Sequence, residues 1–442
     1  MKKIKRWMVS LTALSMLGLT ACGGGGQPAN NASPEPAKPA ESTPAAAPSG
    51  GKKVIEYWYI DPAQKEEVYL EAVKRFTDKH PDVEVKALHI PNDAYKQKLS
   101  VAMSGGNPPD VFHSWGGGWL KEFVQGGKVL DITGKIDASH FNPLALGNAT
   151  FDNKVHGLPL GISLTQFWYN KEIFAKYNLQ PPTTWDEFKQ VITTLKENKI
   201  IPIALTNKTK WPGAYYLMYL ADRQGDENLF LEAFNRTGRG FDDPDYVKAG
   251  QYIQELVDLG AFNPGFNGVP YDAGQGRQLV YSGQAAMMLM SNSFLNNTRQ
   301  EAPDFEKNID FFTFPTLPGG KGDASSLGAS SAPVWSVSTT SKNPDLAVEL
   351  IKELTSLETA QAYADRTASP TAINGVKYND AFASRLVDIM GKAKAMHFPY
   401  DQTLPPELAE LHKDTTQSIF GKTMTPEEAA KQMEAKAKEV LK

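Results

Sequence analysis

The stretch from Leu158 to Phe188, LPLGISLTQFWYNKEIFAKYNLQPPTTWDEF, changes structural period several times within one short span, as a junction between parts of a fold does. Ile162 to Tyr169 is short, apolar and aromatic, which predicts a buried strand. Asn170 can cap a brief helix over Lys171–Tyr177 that Asn178 can end. Pro181-Pro182 then forces extended chain. Thr184-Trp185-Asp186-Glu187 has the form of a capping box, in which a Thr hydroxyl and a Glu three positions on satisfy each other's free backbone amides. A second helix follows, with Trp185, Phe188, Val191, Ile192 and Leu195 on one face.

The N-terminus reads as an export signal. Lys2, Lys3, Lys5 and Arg6 precede an apolar run, Trp7–Ala21, that is short for a membrane span of about 20 residues. Residues 23–51 contain no Val, Ile, Leu, Phe, Tyr or Trp, so nothing there can offset the entropy of ordering, and 22–52 is expected to be a disordered Gly/Pro/Ala tether. Removing residues 1–21 changes the formal charge from −4 to −8. Mild acidity argues against nucleic acid, whose binders need a basic face. Beyond the signal, no stretch is long and apolar enough to span a bilayer.

From Lys53 the remaining chain exceeds the size at which single cores stop growing, so two lobes are expected. Val54–Ile60, Val83–Ala87 and Asp110–His113 read as strands. Between them lie helical stripes, Val68, Tyr69, Ala72, Val73 and Phe76, then Tyr95, Leu99, Ala102 and Met103. That β-α-β-α-β order implies a parallel sheet. Such sheets bind ligands beyond the carboxyl ends of their strands. The post-strand loops hold Asp61, Asn92, Asp93, and Ser114-Trp115-Gly116-Gly117. Later in the chain the same logic selects Asn207 to Trp211, after Ile203–Thr206, and Ser291 to Phe294, after Ala285–Met290. Polar side chains mixed with aromatic rings suit a sugar, which presents hydroxyls around its ring and C–H groups on its face. Trp115 and Trp211 lie in Gly- or Pro-flanked segments and are the candidate stacking platforms. Trp58, Trp119, Trp168, Trp185 and Trp335 fall in strands or helix starts and are expected in the core.

Pro159 leading to Tyr169-Asn170-Lys171, followed by Pro182-Thr183-Thr184-Trp185-Asp186-Glu187, resembles a segment of the extracellular solute-binding proteins of ABC importers, the sugar-binding, maltose-binding-protein-like group. The resemblance covers essentially everything from Val54 on. It implies an α/β, two-lobed periplasmic-binding-protein-like fold of type II, with a ligand cleft between lobes and a hinge of crossing strands. It also implies an N-terminal lobe of 53–160 and 316–368 and a C-terminal lobe of 161–315 and 369–442. The second crossing would fall at Phe311–Pro318, a loop and strand at Ser325–Val337 would follow, and then one helix over Asp345–Ala364. Ser163, Ser331, Arg366 and Asp401 join the candidate ligand-binding residues on this ground. Leu19-Thr20-Ala21-Cys22 resembles a bacterial lipobox and contains the chain's single cysteine, so Cys22 would be lipidated. The implied protein is a monomer on the outer face of the cell membrane, held by its lipid anchor only. Its implied partners are a short neutral oligosaccharide and the permease subunits of the importer.

Two departures matter. Where many members carry Gly-x-Trp this chain reads Ser291-Asn292-Ser293-Phe294, so Phe294 is at most a substitute platform and stacking should fall to Trp211. Ser163 stands where maltose-binding protein has an acidic residue. No cofactor or metal is expected: the seven histidines show no H-E-x-x-H spacing, no Gly-x-Ser-x-Gly occurs, and Pro318–Gly322 lacks phosphate-loop spacing. Asp242-Asp243-Pro244-Asp245 lacks the ligand alternation of a calcium loop. Fifty acidic residues allow many spatial pairs, so a tethered glycoside hydrolase stays open as the alternative, with a purely structural surface lipoprotein as a third class.

Overall fold

A computed structural model describes residues 51–441. The expected signal peptide, Cys22 and most of the tether lie outside the described residues. Among the described residues no helix is long and apolar enough to cross a membrane.

Two sheets organise the body. The first is built from β1 (Lys53–Tyr59), β2 (Val83–His89), β3 (Val111–Ser114), β4 (Leu158–Pro159) and a late strand, Val334–Val337. β1 pairs in parallel with β2 and β3, which is the order the alternating strand and helix patterns predict. The second sheet centres on β5 (Ser163–Asn170) and takes in β6 (Ile201–Ile203), β7 (Ala285–Ser291), β8 (Ile309–Phe312), β9 (Leu327–Ser330) and the short strand Met396–His397. β5 pairs antiparallel with β7 on one edge and shares the other between β8 and β9. Numbering the late strands β10 (Val334–Val337) and β11 (Met396–His397), the orders are β2-β1-β3-β10-β4 and β11-β9-β5-β7-β6.

Alternation along the strands dictates the packing. Ile55, Tyr57 and Tyr59 point to one face of the first sheet and meet the helix Gln64–Lys79 through Val68, Tyr69, Ala72 and Phe76. Trp58 and Ile60 point to the other face, beside Tyr95, Leu99 and Met103 of the helix Asn92–Ser104. The second sheet has one large core, in which Trp168, Trp185 and Phe188 are buried. The Thr184–Glu187 capping box is present, and Asn170 caps the helix Lys171–Lys176 through its side chain.

Three segments pass between the sheets: residues 160–162, 331–333 and 368–372. Leu160 donates its amide to Pro333 O (2.9 Å), Ile162 donates to Pro370 O (2.9 Å), and Ala372 donates to Leu160 O (2.8 Å). A Cβ on Gly161 would come within 2.7 Å of Ala332 O and 2.9 Å of the Tyr363 hydroxyl.

Three expectations are corrected. The second crossing is at 331–333 rather than Phe311–Pro318. The aromatic strand β8 is an added partner of β5, with Phe311 opposite Trp168, and β9 also stays in the second sheet, so residues 316–330 do not belong with the first. Two short apolar strands in succession carry no sequence mark of which sheet each joins. The single helix over Asp345–Ala364 is two, Pro344–Leu354 and Leu357–Thr367. There the Thr355 hydroxyl donates back to Ile351 O (2.7 Å) and Ser356 caps the second helix.

Candidate functional site

A cavity of about 870 Å³ opens between the two sheets, at the carboxyl ends of β1, β3 and β7. Of the residues the sequence selects, Asp61, Asn92, Asp93, Trp115, Ser163, Trp211, Ser291 and Asp401 line it.

The floor belongs to the first sheet. Asp61 follows β1 and accepts from Lys65 Nζ (2.8 Å) and the Tyr69 hydroxyl (3.0 Å). Burial pushes the Asp61 carboxyl up, but the Lys65 ammonium outweighs it and holds the group below the ordinary carboxylate value. Trp115 follows β3 and is packed edge-to-face by Tyr95, His113 and Trp119. The next residues turn through positive φ, +68° at Gly116 and +60° at Gly117, which favours glycine. Asn148 fastens this turn, donating to Trp115 O and to Ser331 Oγ, both at 2.8 Å.

The opposite wall belongs to the second sheet. Trp211 is the first residue of the helix Trp211–Gly225 rather than part of a loop, because Pro212, with its fixed φ, favours a first helical turn. Its ring meets Tyr271 and Tyr215 edge-to-face at 4.9 and 5.7 Å. Arg277 makes two bonds to Glu301 (2.9 and 2.6 Å) and lies over the Tyr271 ring. Ser291 bonds Ser293 Oγ at 2.8 Å.

The two sides touch across the cavity. Trp211 Nε1 donates to Asp93 Oδ1 (3.3 Å), and the Asp93 amide donates to Asp272 Oδ2 (2.8 Å). Asp272 returns its own amide to Asp93 Oδ2 (3.4 Å). Burial, with the charge of Asp93 adding to it, raises the Asp272 carboxyl above the ordinary aspartate value. Lys96 donates to Asp401 Oδ2 (3.4 Å) while its ammonium sits 4.7 Å from the centre of a Trp115 ring. Burial lowers the Lys96 pKa despite that carboxylate. Gly117 and Gly118 lie so close to the backbone of Gln402, Thr403 and Leu404 that a Cβ on either would collide with it.

Six selected residues lie outside the cavity lining. Asn207 is fully buried; its side chain accepts the Gly213 amide and donates to Asn267, so it fixes the chain ahead of the helix. Phe294 is fully buried in the second core beside Trp168 and Tyr281. Arg366 pairs with Glu71 (2.8 Å) on the outer face of the first helix. Gly116, Gly117 and Ser331 form the cavity's frame rather than its surface. Trp119, expected in the core, is largely buried yet lines the cavity.

Sequence reasoning missed Lys65, Lys96, His113, Tyr271, Asp272, Arg277 and Gln402 as lining residues. Lys96 lies one turn beyond Asn92 and Asp93 on the same helix, and that spacing could have found it. The loop holding Tyr271-Asp272 follows no strand and carried no such signal.

The cations of the lining are matched by the protein's own carboxylates: Lys65 by Asp61, Lys96 by Asp401, Arg277 by Glu301, Lys413 by Glu410 and Lys210 by Asp414. Buried lining groups with no hydrogen-bond partner among the described residues are neutral: Gln64 Oε1, both His113 ring nitrogens, Thr209 Oγ1 and Asn296 Oδ1.

Comparison with known proteins follows the same lines. The sequence pattern of the family described as bacterial extracellular solute-binding protein matches residues 62–361. The multiple sugar-binding protein of Streptococcus mutans is 26% identical over 74% of this chain and 76% of its own length. An ABC transporter extracellular-binding protein of Pyrococcus horikoshii is 26% identical over 63% of this chain, and the match spans 64% of that protein, just under two thirds. A structure from work on xylan utilization by the thermophilic bacterium Caldanaerobius polysaccharolyticus superposes with a TM-score of 0.80 at 29% identity, covering 87% of this chain and 99% of that one. A chitin oligosaccharide binding protein superposes with a TM-score of 0.79 at 22% identity, covering 89% and 100%. The fold is therefore the two-lobed α/β fold of type II solute receptors.

Proposed function

The chain belongs to the bacterial extracellular solute-binding protein family, and from that premise we propose that it is the sugar receptor of an ABC importer, capturing a short neutral oligosaccharide, di- to tetrasaccharide, in the cavity. The observation that carries this reading is the division of labour in the lining. The cations of the lining are paired with the protein's own carboxylates, while the buried lining groups without a partner among the described residues are two amide oxygens, a hydroxyl and a neutral imidazole, beside aromatic rings. An anionic ligand would have to break an ion pair to reach a cation. A polyol needs only the free groups.

Asp61, Asn92, Asp93, Ser163, Ser291 and Asp401 would bond ligand hydroxyls, with Trp115 and Trp211 as apolar walls. The lobes hinge at 160–162, 331–333 and 368–372, and ligand contacts to both favour the closed arrangement. The sugar then passes to the membrane permease; the protein performs no chemistry on it. Lipidation of Cys22 tethers the body to the membrane.

Thermal-shift and calorimetric screening over di- to tetrasaccharides tests the ligand class. A cognate sugar at about 100 times its dissociation constant should add about 2.7 kcal/mol to stability. Cleavage of that sugar on prolonged incubation would favour a glycoside hydrolase instead, and no binder in the panel would sink the sugar reading. Cys22→Ala should release the protein from membranes without changing affinity; retention after a high-salt wash would rule out a lipid anchor as the sole tether.

A further inference from the structure

His113 is 1% exposed, yet it lines the cavity, and neither ring nitrogen has a hydrogen-bond partner among the described residues. It occupies the third position of β3, opposite Trp335 of β10. Three rings hold it edge-on: Trp115 at 4.7 Å, Tyr95 at 5.7 Å and Trp335 at 5.7 Å between centroids. Such packing fixes the plane of the imidazole, so the ring cannot turn to another partner. Burial keeps it neutral, holding its pKa at about 3 rather than 6.5; the Asp61 charge opposes this, and the Lys65 and Lys96 charges act with burial.

A neutral imidazole offers one donor and one acceptor. A buried group of this kind left unmatched is costly, and a fixed one cannot relieve the cost by moving. Alcohols both donate and accept through one atom. Carboxylates only accept, and ammonium groups only donate. Gln64 Oε1, a second orphan in the lining near the Asp61 end of the floor, is an acceptor and adds to the demand for a ligand O–H.

We propose that His113 is a specificity-determining residue that reads one hydroxyl of the bound sugar at the first-lobe floor. This rests on the sugar reading above. The bond is made only by a ligand whose hydroxyl reaches the floor, so the residue selects by position of hydroxyl rather than by charge. A hydroxyl-free position at that point leaves the imidazole unmatched and is rejected, as sites built to bond a hydroxyl reject analogues lacking it.

The test is a cycle of residue and ligand changes. The wild-type protein is first titrated with xylotriose, N,N′-diacetylchitobiose and raffinose. Absence of binding to all three overturns the sugar reading and this inference with it. For a probe that binds, singly deoxygenated analogues are titrated next. One of them should bind about 5- to 150-fold more weakly than the parent. In His113→Phe, which keeps the ring packing, the parent should fall to the level of that analogue while the melting temperature of the empty protein holds or rises. Affinity within twofold of wild type overturns the role, and so does discrimination that persists in the variant, because both would leave His113 a packing residue. If His113→Phe does not fold, His113→Leu, which likewise offers neither donor nor acceptor, enters the same cycle with the same two overturning results.

Discussion

The floor and the facing wall of the cavity are built from the same kinds of residue but direct their bonds differently. On the floor, Asp61, Lys65 and Tyr69 bond one another within the first lobe, and Asn148 ties the Trp115 turn from behind. On the wall, Trp211 and Asp272 bond Asp93 of the other lobe, and Asp401 bonds Lys96. Floor groups bonded from within, as Asp61 is by Lys65 and Tyr69, keep their geometry whether the lobes are near or apart. Wall groups satisfied from across are complete only when the lobes meet. The floor can therefore set which ligand fits, while the wall sets how readily the protein closes.

The comparison is broken most severely at the backbone contact. Gly118→Val places a branched side chain against Thr403 and Leu404 and should hold the lobes apart. An overpacking cost of about 1–3 kcal/mol falling on the closed form alone would weaken sugar binding on the order of 5- to 150-fold. Small-angle scattering should then show a larger radius of gyration at saturating sugar than for the wild type. An unchanged radius with unchanged affinity would show that closure does not use this contact.

A second change tests the wall as a binding surface. Covering roughly 60–100 Å² of apolar area at about 25 cal/mol per Å² would make Trp211 worth about 1.5–2.5 kcal/mol, or on the order of 10- to 70-fold in affinity. Trp211→Ala should lose that much with little change in the melting temperature of the empty protein, since the ring is only half-buried at the start of its helix. A large fall in melting temperature with normal affinity would reassign Trp211 to the core.

The smallest effect concerns Asp272, which lines the cavity and faces Asp93, Arg277 and His89. Its carboxyl lies above the ordinary 3.8, so the gain from its protonation is complete below that value and is lost as the pH rises through the raised one. Affinity should therefore rise modestly as the pH falls from neutral toward about 4. Asp272→Asn should flatten that part of the profile; an identical slope in the variant would assign the dependence to another group.

Much of this architecture can be read before any coordinates. β5 and the capping box at Thr184 announce themselves because strand composition and a local hydrogen-bond exchange are properties of neighbouring residues. Asp61, Asn92, Asp93 and Trp115 follow from the rule that ligands gather after strands. The same rule fails at Asn207, where the side chain is consumed by its own turn, and at Phe294, which sits in the first turn of the helix Ser293–Glu301 and is buried in the core. Arg366 pairs with a glutamate almost three hundred residues away in the chain, and no local pattern reveals such a partner. His113 and Asp272 acquire their character from rings and charges that meet only after folding.

The three passages between the sheets lie side by side, with residues 160–162 bonded to both of the others. Peptides coupled in this way cannot twist independently: a rotation in the central one tilts both neighbours or breaks a bond. Gly161 leaves no side chain to obstruct that shared rotation, where a Cβ would jam against Ala332 O and Tyr363. Opening would then have few degrees of freedom and follow one arc rather than a cone of wobbling, so that an arriving solute would meet a cleft whose edges separate and return along a single track.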